Sequence, residues 1–266
     1  RFYSRAYLLG ILFAYWHLSK MIKAPGAPLA QRHADDLFFY CTLGVILGGR
    51  IGYAAFYKPE LFASADVFKL WEGGMSFHGG VIGVVLALLW VSYRNNLNWL
   101  RVADYIAVNV PFGMFFGRLA NFVNAELYGR HTDAPIGMVF PEGYVRGSTP
   151  PAYNWDTGEW AYTDFETARH PSQLYESVLE GWLPLIVGSI LIWRFGALKR
   201  PGLIAGLFLL IYATGRTIVE NFRLPDSFVE GLPDWITMGQ LLSIPMWIGG
   251  AWLVWNALKT KPVAAD

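Results

Sequence analysis

The chain has 266 residues, of which 54% are hydrophobic and 17% aromatic while only 15% are charged, against about a quarter charged in ordinary soluble domains. Long apolar runs and a mean hydropathy of +0.32 place it among integral membrane proteins and exclude a disordered chain. A net charge of +1 argues against nucleic acid as a partner, because phosphate-backbone binding draws on a large, clustered basic excess.

A bilayer core of about 30 Å takes roughly 20 mostly apolar residues in a helix, and seven runs of that kind are expected to span. The first, near 2–18, carries Tyr3 and Arg5 at its start. It has no small-residue cleavage site after it, so it reads as a span and not as a removable signal. The chain opens on Arg1 and not Met, and its native N-terminus is expected upstream. The second run, near 36–57, holds Gly44, Gly48 and Gly52 at four-residue spacing, together with Arg50 and the lone cysteine, Cys41. One cysteine excludes an internal disulfide or a cysteine-based zinc site and reads as a small core residue.

The third run, near 75–93, starts on Gly73-Gly74-Met75-Ser76-Phe77-His78-Gly79-Gly80. An imidazole between glycines leaves room for a ligand beside a group suited to proton transfer near neutral pH. The commoner reading of a lone histidine is a satisfied hydrogen-bonding residue. His17, His33, His131 and His170 share no ligand spacing with His78, so no metal is expected. The fourth run, near 102–120, ends on Arg118 and Asn121, three residues apart and so on one helix face.

Residues 121–173 are too long for a turn and rich in Gly, Pro, Tyr and Trp, so a small ordered head is expected there, with short β or turn structure near 152–162. The fifth run, near 174–195, opens on Glu176. The sixth, near 202–219, ends in the row Arg216, Glu220, Arg223 at i, i+4 and i+7, and the seventh lies near 236–257. One carboxylate between two guanidiniums leaves surplus positive charge, suited to a phosphodiester headgroup. The competing reading of the row is a structural ion-pair network in which Arg216 and Glu220 neutralise one another.

Basic residues alternate between loops. Lys20, Lys23 and Arg32, then Arg94 and Arg101, then Arg194, Lys199 and Arg200, then Lys259 and Lys261 mark the cytoplasmic side. The opposite loops carry Glu60, Asp66 and Glu72, residues 121–173, and Asp226, Glu230 and Asp234. The chain therefore starts outside and ends inside, and Tyr3, Arg50, His78, Arg118, Asn121, Glu176, Arg216, Glu220 and Arg223 converge on the outer leaflet. Intramembrane ionisable groups cost several kcal/mol unless paired or hydrated, so that convergence marks a functional site. Small residues four apart, including Gly79 with Gly83, Gly113 with Gly117 and Gly202 with Gly206, read as helix packing. Trp71, Trp90, Trp99, Trp182, Trp235 and Trp255 read as interfacial anchors. A lipid or anion transporter using the same arginines is the alternative, but transporter sites sit near mid-membrane between repeats, and no repeat is visible.

The stretches 73–80, Gly117-Arg118-Leu119-Ala120-Asn121 continuing to Gly129-Arg130, His170-Pro171-Ser172-Gln173-Leu174-Tyr175-Glu176, Arg216-x-x-x-Glu220-x-x-Arg223 and 238–246 resemble, in order and from first helix to last, bacterial prolipoprotein diacylglyceryl transferase. The resemblance implies an all-α inner-membrane protein of seven transmembrane helices, its N-terminus periplasmic and C-terminus cytoplasmic, with a small periplasmic head at 121–173 between helices 4 and 5. It implies transfer of an sn-1,2-diacylglyceryl group from phosphatidylglycerol to the lipobox cysteine thiol of a prolipoprotein, giving a thioether and glycerol 1-phosphate. No cofactor is implied, and a monomer in membrane lipid is expected.

By matching position, the resemblance carries functional roles onto Tyr3, His78, Arg118, Asn121, Glu126, Gly129, Tyr212, Arg216 and Glu220. His78, Arg118, Arg216 and Glu220 are the expected catalytic set; Tyr3, Asn121, Glu126, Gly129, Tyr212 and Arg223 are the expected substrate-binding set. Arg118 and Arg216 would clamp the phosphate. The base could be His78 or Glu220. The chain departs from the family pattern at Ser4, Ala120 and Ala125, where glycine is usual, and at Arg5, where an apolar residue is usual.

Overall fold

Helices occupy each of the seven apolar runs in the computed structural model, which describes residues 2–63, 65–70, 74–140, 153–154, 159–160, 168–224 and 236–263. In chain order they are α1 (Phe2–Met21), α2 (Gln31–Tyr57), α3 (Phe77–Arg94), α4 (Trp99–Ala107), α5 (Val110–Val123), α6 (Ser172–Glu176), α7 (Leu183–Phe195), α8 (Leu203–Glu220) and α9 (Met238–Lys259). Among the described residues, five stretches are long and apolar enough to cross a membrane by length and composition: Gln31–Ala55, Trp99–Val123, Ser172–Phe195, Leu203–Glu220 and Gly239–Lys259; Gly79–Arg94 is a shorter apolar helix. Their outward faces carry exposed Leu86, Ile190, Trp193, Ile248 and Trp252. With helical backbone bonds satisfied internally and apolar side chains outermost, the chain is a multi-pass membrane protein.

Two runs expected as single helices are interrupted, each beside a proline. The run near 102–120 breaks between α4 and α5, just before Pro111 in the first turn of α5. The run near 174–195 holds a wide π-helical segment, Ser177–Trp182, between α6 and α7. Pro184 follows at the start of α7; it cannot donate to the carbonyl of Glu180, and its ring crowds that carbonyl, so the turn before it widens. Near 152–162, Tyr153–Asn154 (β1) pairs antiparallel with Glu159–Trp160 (β2). The rest of that stretch, with Glu72, Trp71, Asp226, Glu230, Asp234 and Trp235, lies outside the described residues.

The described chain groups into two compact units, Arg1–Ala14 with Ala107–Lys261, and Tyr15–Ile106 with Pro262–Asp266. In the second, α2 and α3 pack backbone to backbone through glycines. A Cβ on Gly44 would lie 2.5 Å from the Gly83 carbonyl oxygen, and one on Gly52 would lie 2.7 Å from Gly79 Cα, so the four-residue spacing of small residues is a close helix contact. Ser76 caps α3 by accepting the Gly79 N–H at 3.2 Å, and its own N–H donates to the Gly49 carbonyl at 2.8 Å. Buried Arg50 donates to the carbonyls of Asp66 (2.6 Å), Val67 (2.9 Å) and Gly74 (3.4 Å). His33 is a satisfied histidine, its Nδ1 accepting the Ala30 N–H at 3.1 Å at the start of α2.

In the other unit, Gly10 of α1 meets Gly113 of α5, and Phe13 stacks on Phe112 and Phe116 at 6.0 and 5.6 Å. Helices α8 and α9 close on one another at Gly206 and Gly250, and Trp247 Nε1 donates to Thr214 at 3.1 Å. Gly202, expected to pack with Gly206, is instead the N-cap of α8 in a left-handed conformation (φ 89°).

Candidate active site

Three guanidiniums and three carboxylates gather among α5, α6, the π segment and α8. Arg118 on α5 lies 3.3 Å from Glu176 and 3.5 Å from Glu180. Arg216 on α8 donates to Glu176 at 3.0 Å, pairs with Glu220 at 3.1 Å and approaches Glu180 at 3.9 Å. Arg223, just past α8, reaches Glu176 with Nε at 3.4 Å. The side chains of Glu176 and Glu180 are wholly buried and that of Glu220 is 2% exposed, while Arg118 keeps 22% of its side-chain surface open.

The Arg216, Glu220, Arg223 row keeps its two guanidiniums and one carboxylate, and residues from other elements join it. Among the described residues, Arg118, Glu176 and Glu180 join that row, so that three cations face three carboxylates. The ion pairs of a structural network are thus present. Buried pairs of this kind contribute little net stability, because desolvation offsets their attraction, so stability alone is a weak reason for the arrangement.

Local chain geometry explains how segments far apart in sequence reach one place. After α5 the chain turns sharply: the Asn124 and Glu126 N–H groups donate back to the Ala120 and Asn121 carbonyls at 2.9 and 3.0 Å, with Ala125 (φ 52°) and Leu127 (φ 56°) in the left-handed region. Buried Gln173 then donates to the Glu126 carbonyl at 2.8 Å, and Ser172 to the Leu127 carbonyl at 3.2 Å. Next the Gly129 N–H donates to the His170 carbonyl and the Arg130 N–H to the Phe222 carbonyl, both at 2.8 Å. The Arg130 side chain bonds the Arg223 carbonyl at 2.8 Å. Side chains that bond backbone carbonyls here tie the start of α6 and the end of α8 to the turn after α5. Arg118, Glu176 and Arg223 are placed by that wiring.

The expected residues fall as follows. Arg118, Arg216, Glu220 and Arg223 are in the ion-pair group. Asn121 is buried one turn beyond Arg118. Tyr212 is buried one turn before Arg216, stacked on Phe208, and feels the charges of Glu180, Arg216, Arg118 and Glu176. Glu126 accepts from Asn124 Nδ2 at 3.2 Å in the turn. Gly129 sits where the chain leaving the turn crosses the end of α8; a Cβ there would strike the Phe222 carbonyl and lie 2.8 Å from His170 Cβ. His78 is in the first turn of α3 and Tyr3 in the first turn of α1, and the side chains of both lie outside the described residues.

Three contributors lie outside the expected catalytic and substrate-binding sets, although Glu176 is among the groups expected to converge on the outer leaflet. Glu176 touches all three arginines, and Glu180 joins it. A third is Gly239, in the first turn of α9, where a Cβ would lie 2.7 Å from Glu220 Oε2 and 3.0 Å from Arg216 Nε. Thr237 caps that helix, accepting the Gln240 N–H at 3.3 Å, and the positive end of α9 faces the Glu220 carboxylate.

A family model described as prolipoprotein diacylglyceryl transferase matches residues 1–256. The chain belongs to this family. Its similarity extends to the phosphatidylglycerol–prolipoprotein diacylglyceryl transferase of Erythrobacter litoralis, 57% identical over 263 residues, covering 98% of this chain and 86% of that one. The protein of the same name from Zymomonas mobilis subsp. mobilis is 45% identical, covering 97% and 84%. That from Photobacterium profundum is also 45% identical, covering 100% and 91%. Membership in the prolipoprotein diacylglyceryl transferase family gives the arginine group a chemical context, and the transporter reading gains no support from these matches.

Proposed function

We propose that the chain transfers the sn-1,2-diacylglyceryl group of phosphatidylglycerol to the lipobox cysteine of prolipoproteins, the first step of bacterial lipoprotein maturation. The thiol sulfur bonds the glyceryl carbon, the bond from that carbon to the phosphate oxygen breaks, glycerol 1-phosphate leaves, and the thiol proton passes to a base. The observation that carries this reading is the meeting of Arg118 and Arg216 over shared carboxylates, with Arg118 partly open, in a chain of this family.

Arg118 and Arg216 clamp the phosphate and stabilise the negative charge that grows on the leaving group, where preorganised donors in a water-poor site act most strongly. Asn121 and Tyr212 orient the headgroup, Arg223 and Glu220 hold the clamp in shape, and Glu126, Gly129 and Tyr3 complete the substrate site. The nucleophile belongs to the substrate. A thiol of pKa about 8.5 is only a few per cent ionised near neutrality, so a base speeds the reaction. His78 takes that role, with Glu220 aligning Arg216. His78→Gln should lower turnover about 10²-fold and flatten the pH–rate profile on its acid limb; full activity with an unchanged profile would remove His78 as the base.

All seven apolar runs span the bacterial inner membrane in this proposal, with the N-terminus periplasmic, the C-terminus cytoplasmic, 121–173 as a periplasmic head and the site facing the periplasmic leaflet of a monomer. Loop charge supports the orientation. At the predicted ends of α1 and α9, Lys20 and Lys259 lie over Trp16 and Trp255 at 4.2 and 3.7 Å. The deciding experiment incubates purified protein with phosphatidylglycerol and a lipobox peptide. Diacylglyceryl-modified cysteine with equimolar glycerol phosphate is expected; neither product would refute the activity.

A further inference from the structure

Glu180 is wholly buried in the π segment, within the arginine group yet poorly held by it. Its nearest cations stand at 3.5 Å (Arg118) and 3.9 Å (Arg216). Neither of its oxygens accepts a hydrogen bond from a described residue. Glu176, by contrast, accepts from Arg216 at 3.0 Å and touches all three arginines. Glu220 lies 3.1 Å from Arg216 against the first turn of α9.

The charged and titratable groups around Glu180 come from each element packed on it: Arg118 from α5, Glu176 from α6, Tyr212 and Arg216 from α8, and Arg223 beyond it, with Glu220 sharing Arg216. Among the described residues α7 adds only Arg194, in its last turn. Among the described residues this group is formally neutral before any ligand arrives. A phosphodiester adds one negative charge, and a phosphate monoester product adds nearly two. Buried charge in excess of its partners is costly, and a titratable group relieves it by changing protonation. The carboxylate with the longest ion pairs and no hydrogen bonds loses least by accepting a proton, and once neutral it releases one guanidinium edge of Arg118 and of Arg216 toward the phosphate oxygens.

We infer that Glu180 is a positioning residue that holds Arg118 and Arg216 while the site is empty and takes a proton from solvent when a phosphate group binds between them. The inference rests on the proposed arginine clamp. The step is a protonation alone: one solvent proton becomes the carboxyl hydrogen, and it returns when the phosphate leaves.

The test is calorimetric binding of glycerol 1-phosphate to the purified full chain in detergent near pH 8, in buffers of differing ionisation enthalpy, which reads protons taken up per ligand bound. The wild-type protein should take up about one proton, Glu180→Gln none, and Glu180→Asp should restore uptake. Glu180→Gln should also bind more tightly near pH 8, because its clamp no longer waits on a proton, and that gain should shrink as the pH falls. Glu176→Gln should still take up a proton, so uptake is assigned to one carboxylate. Monodispersity and melting temperature identify folded samples; should the glutamine variant misfold, Glu180→Met, which also lacks a titratable group, gives the same reading, and proton uptake by it would overturn the role.

Uptake unchanged in Glu180→Gln, with binding abolished in Arg118→Ala, would overturn the role of Glu180 and leave the clamp standing. Equal binding by Arg118→Ala and the wild-type protein, or none by either, would overturn the clamp and the role of Glu180 with it.

Discussion

Arg50 and the group of Arg118, Arg216 and Arg223 are both sets of guanidiniums largely withdrawn from solvent in apolar helices, but they are satisfied by different kinds of partner. Arg50 bonds three backbone carbonyls, which are fixed in place and cannot titrate. It closes the chain after α2 onto that helix. The other three face carboxylate side chains, which can rotate, take protons and yield to a competing anion. The comparison teaches that a buried arginine is a functional signal only when its partners can exchange; one held by carbonyls is a clasp.

The most damaging break in that contrast should be Arg118→Ala. If the arginine group works on substrate, turnover should fall about 10³-fold or more, the scale on which a preorganised charge-stabilising donor acts, while the protein remains folded. The assay follows transfer from phosphatidylglycerol to a lipobox peptide beside a melting curve in detergent; turnover within a few-fold of wild type would mean that these arginines, like Arg50, are structural.

Arg50→Met should show the opposite pattern. It strips donors from the carbonyls of Asp66, Val67 and Gly74, and buried acceptors left without partners cost about 1–3 kcal/mol each, softened where the chain can relax. The melting temperature should fall by several degrees, while the fraction that stays folded keeps its turnover within about twofold, because no step of transfer uses the side chain. Loss of turnover at an unchanged melting temperature would erase the distinction between clasp and clamp.

How much of this is legible in sequence depends on whether partners share an element. The row Arg216, Glu220, Arg223 is readable because helical spacing puts its members on one face, and the Arg216–Glu220 pair at 3.1 Å follows that rule. The glycine contacts of α2 with α3 are readable for the same reason. The partners of Glu176 are not: they lie on α5 and beyond α8, brought in by the turn at 124–130. Glu180 is an ionisable group inside an apolar run, which the cost of intramembrane charge is enough to flag, but the π turn that holds it arises from Pro184 four residues later. Its role depends on tertiary neighbours that no local period encodes. The breaks between α4 and α5 and around 177–182 are hidden in the sequence because hydropathy runs straight through them.

The smallest expected effect tests the scaffold under the clamp and not the clamp itself. Ala125 lies in the left-handed region at φ 52°, where a Cβ crowds the backbone at a cost of roughly 1–2 kcal/mol. Glycine removes that strain but adds freedom to the unfolded chain, worth about 0.5–1 kcal/mol in the opposite direction. The balance favours Ala125→Gly by less than about 1 kcal/mol, a rise of about 2 °C in melting temperature for a chain of this size. Turnover should change little, because the turn reaches the arginines indirectly, through backbone carbonyls bonded by Gln173, Ser172 and Arg130. A lower melting temperature would mean that the turn holds Ala125 without strain; a large change in turnover would mean that its exact pitch sets the position of Arg118.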